Sequence, residues 1–152
     1  MRAGFLCFAM LVIMQAMTNV AYGKGVTVEL SITGPGLKAP VHTSDAEAIG
    51  ANVWRGNFAD WDSGVIEEPP AGLARYVVYF WVQVPRSTVQ LKYALGYVWD
   101  PDTQRAVVYL PGPRDEWYRT NVSSILREGQ DGHWFYASEP WGESVKRALN
   151  IQ

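Results

Sequence analysis

The chain has 152 residues, and His42 and His133 are its only imidazoles. Nucleophilic catalysis needs a base held beside the nucleophile. His42 stands beside Thr43 and Ser44, just before an expected helix, and His133 opens an expected strand next to Trp134. No Gly-x-Ser-x-Gly elbow accompanies either one. Both therefore read as ordinary surface or half-buried histidines, and no catalytic residue is assigned. Carboxylates are more plentiful: Asp60, Asp62, Glu67, Glu68 and the pair Asp115-Glu116 all fall in expected loops. Two of them could serve glycoside hydrolysis, but the separation that decides the mechanism is a property of the fold. Solvated loop charge is the plainer reading.

Metal and phosphate chemistry fare no better. Asp60-Trp61-Asp62 and Asp100-Pro101-Asp102 resemble fragments of a calcium loop. Counted from Asp60, however, position six is Val65 where the EF-hand needs Gly, and position twelve is Ala71 where it needs Glu. Turn-forming aspartates are the reading that remains. Two distant histidines and a single thiol, Cys7, do not make a zinc site. Gly34-Pro35-Gly36 loses one backbone donor to Pro35 and lacks a phosphate-loop lysine, so it is a plain turn. No metal and no cofactor is expected.

Aromatic side chains are the feature that stands out. The sequence holds seven Trp and eight Tyr. Tyr79 and Trp81 share the less apolar face of one strand, flanked by Arg75 and Gln83, while Trp54, Trp61, Trp99 and Trp117 fall in or beside loops. Exposed, such rings stack on sugars or anchor a protein partner; covered by a helix, they are core. Arg75, Tyr79, Trp81, Trp54 and Trp61 are accordingly the candidate ligand-binding residues. Core is the heavier reading, because the expected helices need a sheet face to pack on.

The element that must position them is 75–84, the longest β-favouring run, which ends at Pro85. Tyr76, Val78, Phe80, Val82 and Val84 lie on one side and Arg75, Val77, Tyr79, Trp81 and Gln83 on the other, as suits a central strand covered on both faces. Residues 88–97 and 106–110 continue it as an antiparallel meander through short Pro-containing turns. Val26, Val28, Leu30 and Ile32 alternate with polar residues as a further strand, and residues 133–137 form a short one. Ser44 and Glu47 have capping-box spacing ahead of a short helix carrying Ala46, Ile49 and Val53. Asn121 is placed to cap another, with Val122, Ile125 and Leu126 inward and Gly129 as its stop. Ser138-Glu139-Pro140 opens the last helix, whose buried stripe is Trp141, Val145, Ala148 and Leu149. Residues 54–72 read as an irregular loop. The expected fold is α+β: an antiparallel sheet of four to five strands with the N- and C-terminal helices on one face. An all-β sandwich is the alternative.

Residues 1–23 have the pattern of a signal peptide: Arg2, an uncharged apolar stretch from Ala3 to Met14, and small residues at Ala21 and Gly23. That stretch is shorter than the ~20 residues of a spanning helix. Residues 24–152 then form a single domain, thiol-free because Cys7 lies in the leader, and secreted or periplasmic in a bacterium. The net charge of −2, with Lys and Arg scattered, argues against nucleic acid as a partner. The Gly34-Pro35-Gly36-Leu37 turn, the Tyr-rich meander, Tyr109-Leu110-Pro111-Gly112 and the segment from Trp134 to Leu149 resemble a group of small exported bacterial proteins of unassigned function. The resemblance implies export and one domain, and no catalytic residue. The expected function is an exported non-catalytic domain that binds a ligand or envelope partner through aromatic residues. A small hydrolase using loop carboxylates or His42 is one alternative, and a structural cell-envelope protein is another.

Overall fold

The computed structural model describes residues 25–54, 65–124 and 130–152. Seven strands and three helices follow in the order β1 (Val26–Thr33), β2 (Val41–Thr43), α1 (Ala46–Gly50), β3 (Val65–Ile66), β4 (Arg75–Gln83), β5 (Val89–Asp100), β6 (Arg105–Leu110), α2 (Tyr118–Val122), β7 (His133–Tyr136) and α3 (Glu139–Leu149). The strands form one antiparallel sheet ordered β2-β1-β4-β5-β6-β7-β3. The sheet is thus larger than four to five strands. Its additions are β2 and β3, edge strands of three and two residues. Segments that short show no periodicity of their own and exist only through their neighbours. With one sheet and helices against it, the chain is not a two-sheet sandwich.

Strand β4 lies inside the sheet, between β1 and β5, and the 75–110 meander pairs as expected. Its first face meets Leu30, Ile32, Leu95, Tyr97 and Val108, closed by Ala48 of α1 and by Trp141 and Val145 of α3. Phe80 stacks on Tyr93 at 4.1 Å and on Trp141 at 6.0 Å. The buried Tyr97 hydroxyl donates to the Gly142 carbonyl at 3.0 Å, tying α3 to the sheet. Gly142 allows that approach, since a Cβ there would lie 2.6 Å from the Ala106 methyl. Trp54 also belongs to this core, bridging to Ala137 and meeting the Phe135 ring edge-on at 5.6 Å.

The second face has its own smaller core. Val98, Val107 and Trp134 are buried there, with Ile66, Leu73, Tyr109 and Tyr136 packed around them. Beside it α2 docks on β5. Asn121 is 1% exposed, and its side-chain amide accepts from Ala94 N at 2.8 Å and donates to Ala94 O at 2.7 Å. Asn121 therefore lies inside α2 as a side-chain anchor and not at the start of a helix. The glycosylation pattern Asn121-Val122-Ser123 is closed by the same burial. Ile125, Leu126 and Gly129 lie outside the described residues.

Two bulges break the expected alternation. Pairing with β4 skips Val28 of β1 and Lys92 of β5. A bulge inserts one unpaired residue and reverses the side-chain parity beyond it. Val26 is consequently 67% exposed, off the face that holds Leu30 and Ile32. Leu91 likewise pairs with Trp81 on the second face, whereas Tyr93, Leu95 and Tyr97 stay on the first. Helix α1 is a single short turn capped by Asp45, whose carboxylate accepts from the Glu47 and Ala48 amides. Asp45 thus takes the role expected of Ser44. Helix α3 spans the expected residues and ends at Asn150 in a left-handed cap. Within 54–72, β3 and the Trp54 bridge replace part of the expected loop.

Candidate functional site

The sheet register builds the site. Val77 pairs with Gly96, Gly96 with Tyr109, Tyr109 with Trp134, and Trp134 with Ile66. Directly paired residues share a face, so these five form one row across β4, β5, β6, β7 and β3 on the second face. Gly96 is the gap in that row. A Cβ there would sit 2.8 Å from Tyr109 Cβ, so the glycine is what lets Tyr109 lie against β5. A cleft of about 560 Å³ opens over the row. Glu68, Arg75, Asp115 and His133 also line it.

Arg75 is tied in three ways. Its guanidinium lies 5.2 Å over the Trp134 ring, Nη1 donates to Glu68 Oε1 at 2.7 Å, and Nη2 donates to the Pro69 carbonyl at 3.1 Å. The first contact is a cation–π interaction. The ion pair is open to water, its side chains 38% and 64% exposed, so it adds little stability and remains exchangeable. In the same cleft, the Tyr109 hydroxyl donates to Asp115 Oδ2 at 2.8 Å, and Gly112 N donates to the same oxygen at 2.6 Å. Burial, then the Asp115 hydrogen bond and charge, push the Tyr109 phenol up to about 12. It therefore remains a proton donor at physiological pH. The Tyr109 and Trp134 rings lie 4.9 Å apart, tilted by 39°.

Of the candidates read from the sequence that fall among the described residues, only Arg75, the cationic companion of the aromatics, borders this cleft. Tyr79 and Trp81 share its face but are half-buried and engaged. The Trp81 indole donates to Ser31 Oγ at 2.8 Å, the Tyr79 hydroxyl accepts from Thr33, and Tyr79 meets Trp117 edge-on at 5.0 Å. Trp54 is 7% exposed in the first-face core and has no surface to offer. Trp61 lies outside the described residues, as do Asp60 and Asp62. Tyr109, Trp134 and Asp115 were not singled out as ligand-binding residues, because their meeting with Arg75 depends on a register across four strands. The Gly96–Tyr109 pairing is the one hint, since a glycine inside a strand marks a close approach.

The other chemical candidates resolve into structure. His42 Nδ1 lies 2.6 Å from Glu29 Oε1, an exposed pair joining β2 to β1. Ser31 stands opposite His42 in the register, but its hydroxyl partner is the Trp81 indole. Asp100 accepts from the Asp102 and Thr103 amides and from the Thr103 hydroxyl, which lowers its pKa and makes it a turn residue. Among the described residues no three His, Cys, Asp or Glu side chains group as a metal site. No described helix is long and apolar enough to cross a membrane. A second depression of about 460 Å³ lies between Trp99, Arg105 and the start of α3. Its aromatic surface is taken internally: Lys146 Nζ sits 4.0 Å over Trp99, and Arg105 lies 5.2 Å over Tyr136. No family model, curated protein or solved structure matches this chain.

Proposed function

We propose that this chain is an exported, non-catalytic binding domain whose recognition surface is the second-face cleft. One observation supports it most: Tyr109, Trp134, Arg75, Glu68 and Asp115 all line one cleft of about 560 Å³. A concave site with aromatic walls and a few convergent polar groups is what small-molecule recognition uses. Export is supported by the leader pattern of residues 1–23. The recognition surface is thereby moved from Tyr79, Trp81 and Trp54 to the neighbouring rings. Tryptophan fluorescence of the chain, titrated with glycans, lipids and envelope extracts, tests it. A saturable change that Arg75→Gln weakens at least tenfold is expected. A change indifferent to Arg75→Gln and Asp115→Asn would remove the cleft from consideration.

A second reading draws on the same place. Glu68 and Asp115 both line the cleft, so a carboxylate pair is available to a small hydrolase. That reading requires turnover of a glycoside by the purified chain, abolished by Glu68→Gln or Asp115→Asn. Binding without turnover decides for the first.

A further inference from the structure

We infer that the cleft accepts an uncharged, polyhydroxylated ring, a neutral sugar, and discriminates against anionic counterparts. This rests on the binding role proposed above and adds the class of ligand. The argument begins with what the chain has already placed there. The Arg75 guanidinium occupies the Trp134 ring at 5.2 Å, the position a ligand cation would seek. With Glu68 and Asp115 also lining the cleft, the charged groups there sum to −1, so an anion meets net repulsion and finds the Arg75 charge already answered by Glu68 at 2.7 Å. A neutral ligand enters without displacing the ion pair or approaching a like charge.

The polar groups also match hydroxyls. Both bonds to Asp115 fall on Oδ2, which leaves Oδ1 as an acceptor. Glu68 is bonded through Oε1, leaving Oε2. Arg75 has used two of the five donors of a guanidinium. A sugar hydroxyl both donates and accepts, so one ring can satisfy carboxylate and guanidinium together. Tyr109, half-buried and backed by Trp134, supplies the flat apolar surface on which the C–H face of such a ring stacks. The volume, about 560 Å³, suits one or two rings.

The test uses the full chain with neutral mono- and disaccharides, and with the matching uronic acids, read by calorimetry and tryptophan fluorescence. At least one neutral sugar is expected to bind saturably, with its uronic acid at least tenfold weaker. Affinity should change less than about twofold between low and high salt, since no net charge is neutralised. Tyr109→Leu and Arg75→Gln should each weaken binding at least tenfold. If Tyr109→Leu fails to fold by circular dichroism, Arg75→Gln decides alone. Equal or tighter binding of the uronic acid overturns the inference, as does no neutral sugar binding up to about 10 mM. If sugars fail while an envelope extract still gives an Arg75-dependent signal, the ligand class falls and the binding role stands. If neither gives a signal, both fall.

Discussion

A methyl group at Gly96 would meet Tyr109 Cβ at 2.8 Å, inside a contact that backbone and side chain cannot both keep. Alanine suits a strand better than glycine by about 0.5–1 kcal/mol, but overpacking costs about 1–3 kcal/mol. Gly96→Ala is therefore expected to destabilise by about 1–3 kcal/mol in urea denaturation and to displace Tyr109 from the cleft. Asn121 shows the opposite dependence, on a group that must be present. Asn121→Ala leaves Ala94 N and O unpaired beneath α2, with an expected loss of about 2–4 kcal/mol. Loss below about 0.5 kcal/mol in the same experiment would mean that water or α2 itself satisfies Ala94. Tyr109 supplies a pH signature. Its folded pKa lies above the unfolded value of about 10, so the folded chain holds the extra proton and the associated stability is complete below pH 10. That stability is lost as pH rises toward about 12, while ultraviolet titration should show the buried Tyr97, raised still further, ionising after Tyr109. Early ionisation of all eight tyrosines would contradict the Asp115 hydrogen bond and the burial.

At the scale of elements, α3 shows how contact overrides propensity. Gly142→Ala in a solvated helix would gain about 1 kcal/mol, yet here the new methyl falls 2.6 Å from the Ala106 methyl and under the Tyr97 bond. A net loss of about 1–2 kcal/mol is expected in thermal or urea unfolding, and net stabilisation would show that α3 can lift from β6. The same helix was fully legible beforehand, because Pro140 fixes its first turn and Trp141 and Val145 repeat at helical spacing. The meander was legible for similar reasons, in long β-favouring runs cut by Pro-containing turns. What escaped is what no local pattern encodes. Strand β3 is held by β7, far along the chain, and β2 is only a three-residue return onto β1. The bulges at Val28 and Lys92 reverse parity without changing composition. Asn121 looked like a cap because Asn favours helix starts, whereas its partner is a strand 27 residues earlier. The candidate site was half legible. Arg75 could be picked out as a charge beside aromatics, but Tyr109 and Trp134 come near it only through the pairing across the sheet, and Asp115 only through its bond from the Tyr109 hydroxyl.

For the whole molecule, the two faces are covered by different means, helices α1 and α3 on one and a smaller core with docked α2 on the other. The sheet still ends at an open margin. Strand β2 covers β1 only at Leu30–Ile32, and Val26–Glu29 has no described strand on its outer side. A straight, unpaired edge invites a second molecule to add its own strand and begin a fibril. The unpaired Val28 twists the margin out of register with any flat incoming backbone. Deleting Val28 is expected to hasten thioflavin-positive assembly of concentrated protein, and an unchanged lag time would show that the kink gives no protection. A faster onset would make one surplus residue, outside both core clusters, a guard against strand-to-strand addition.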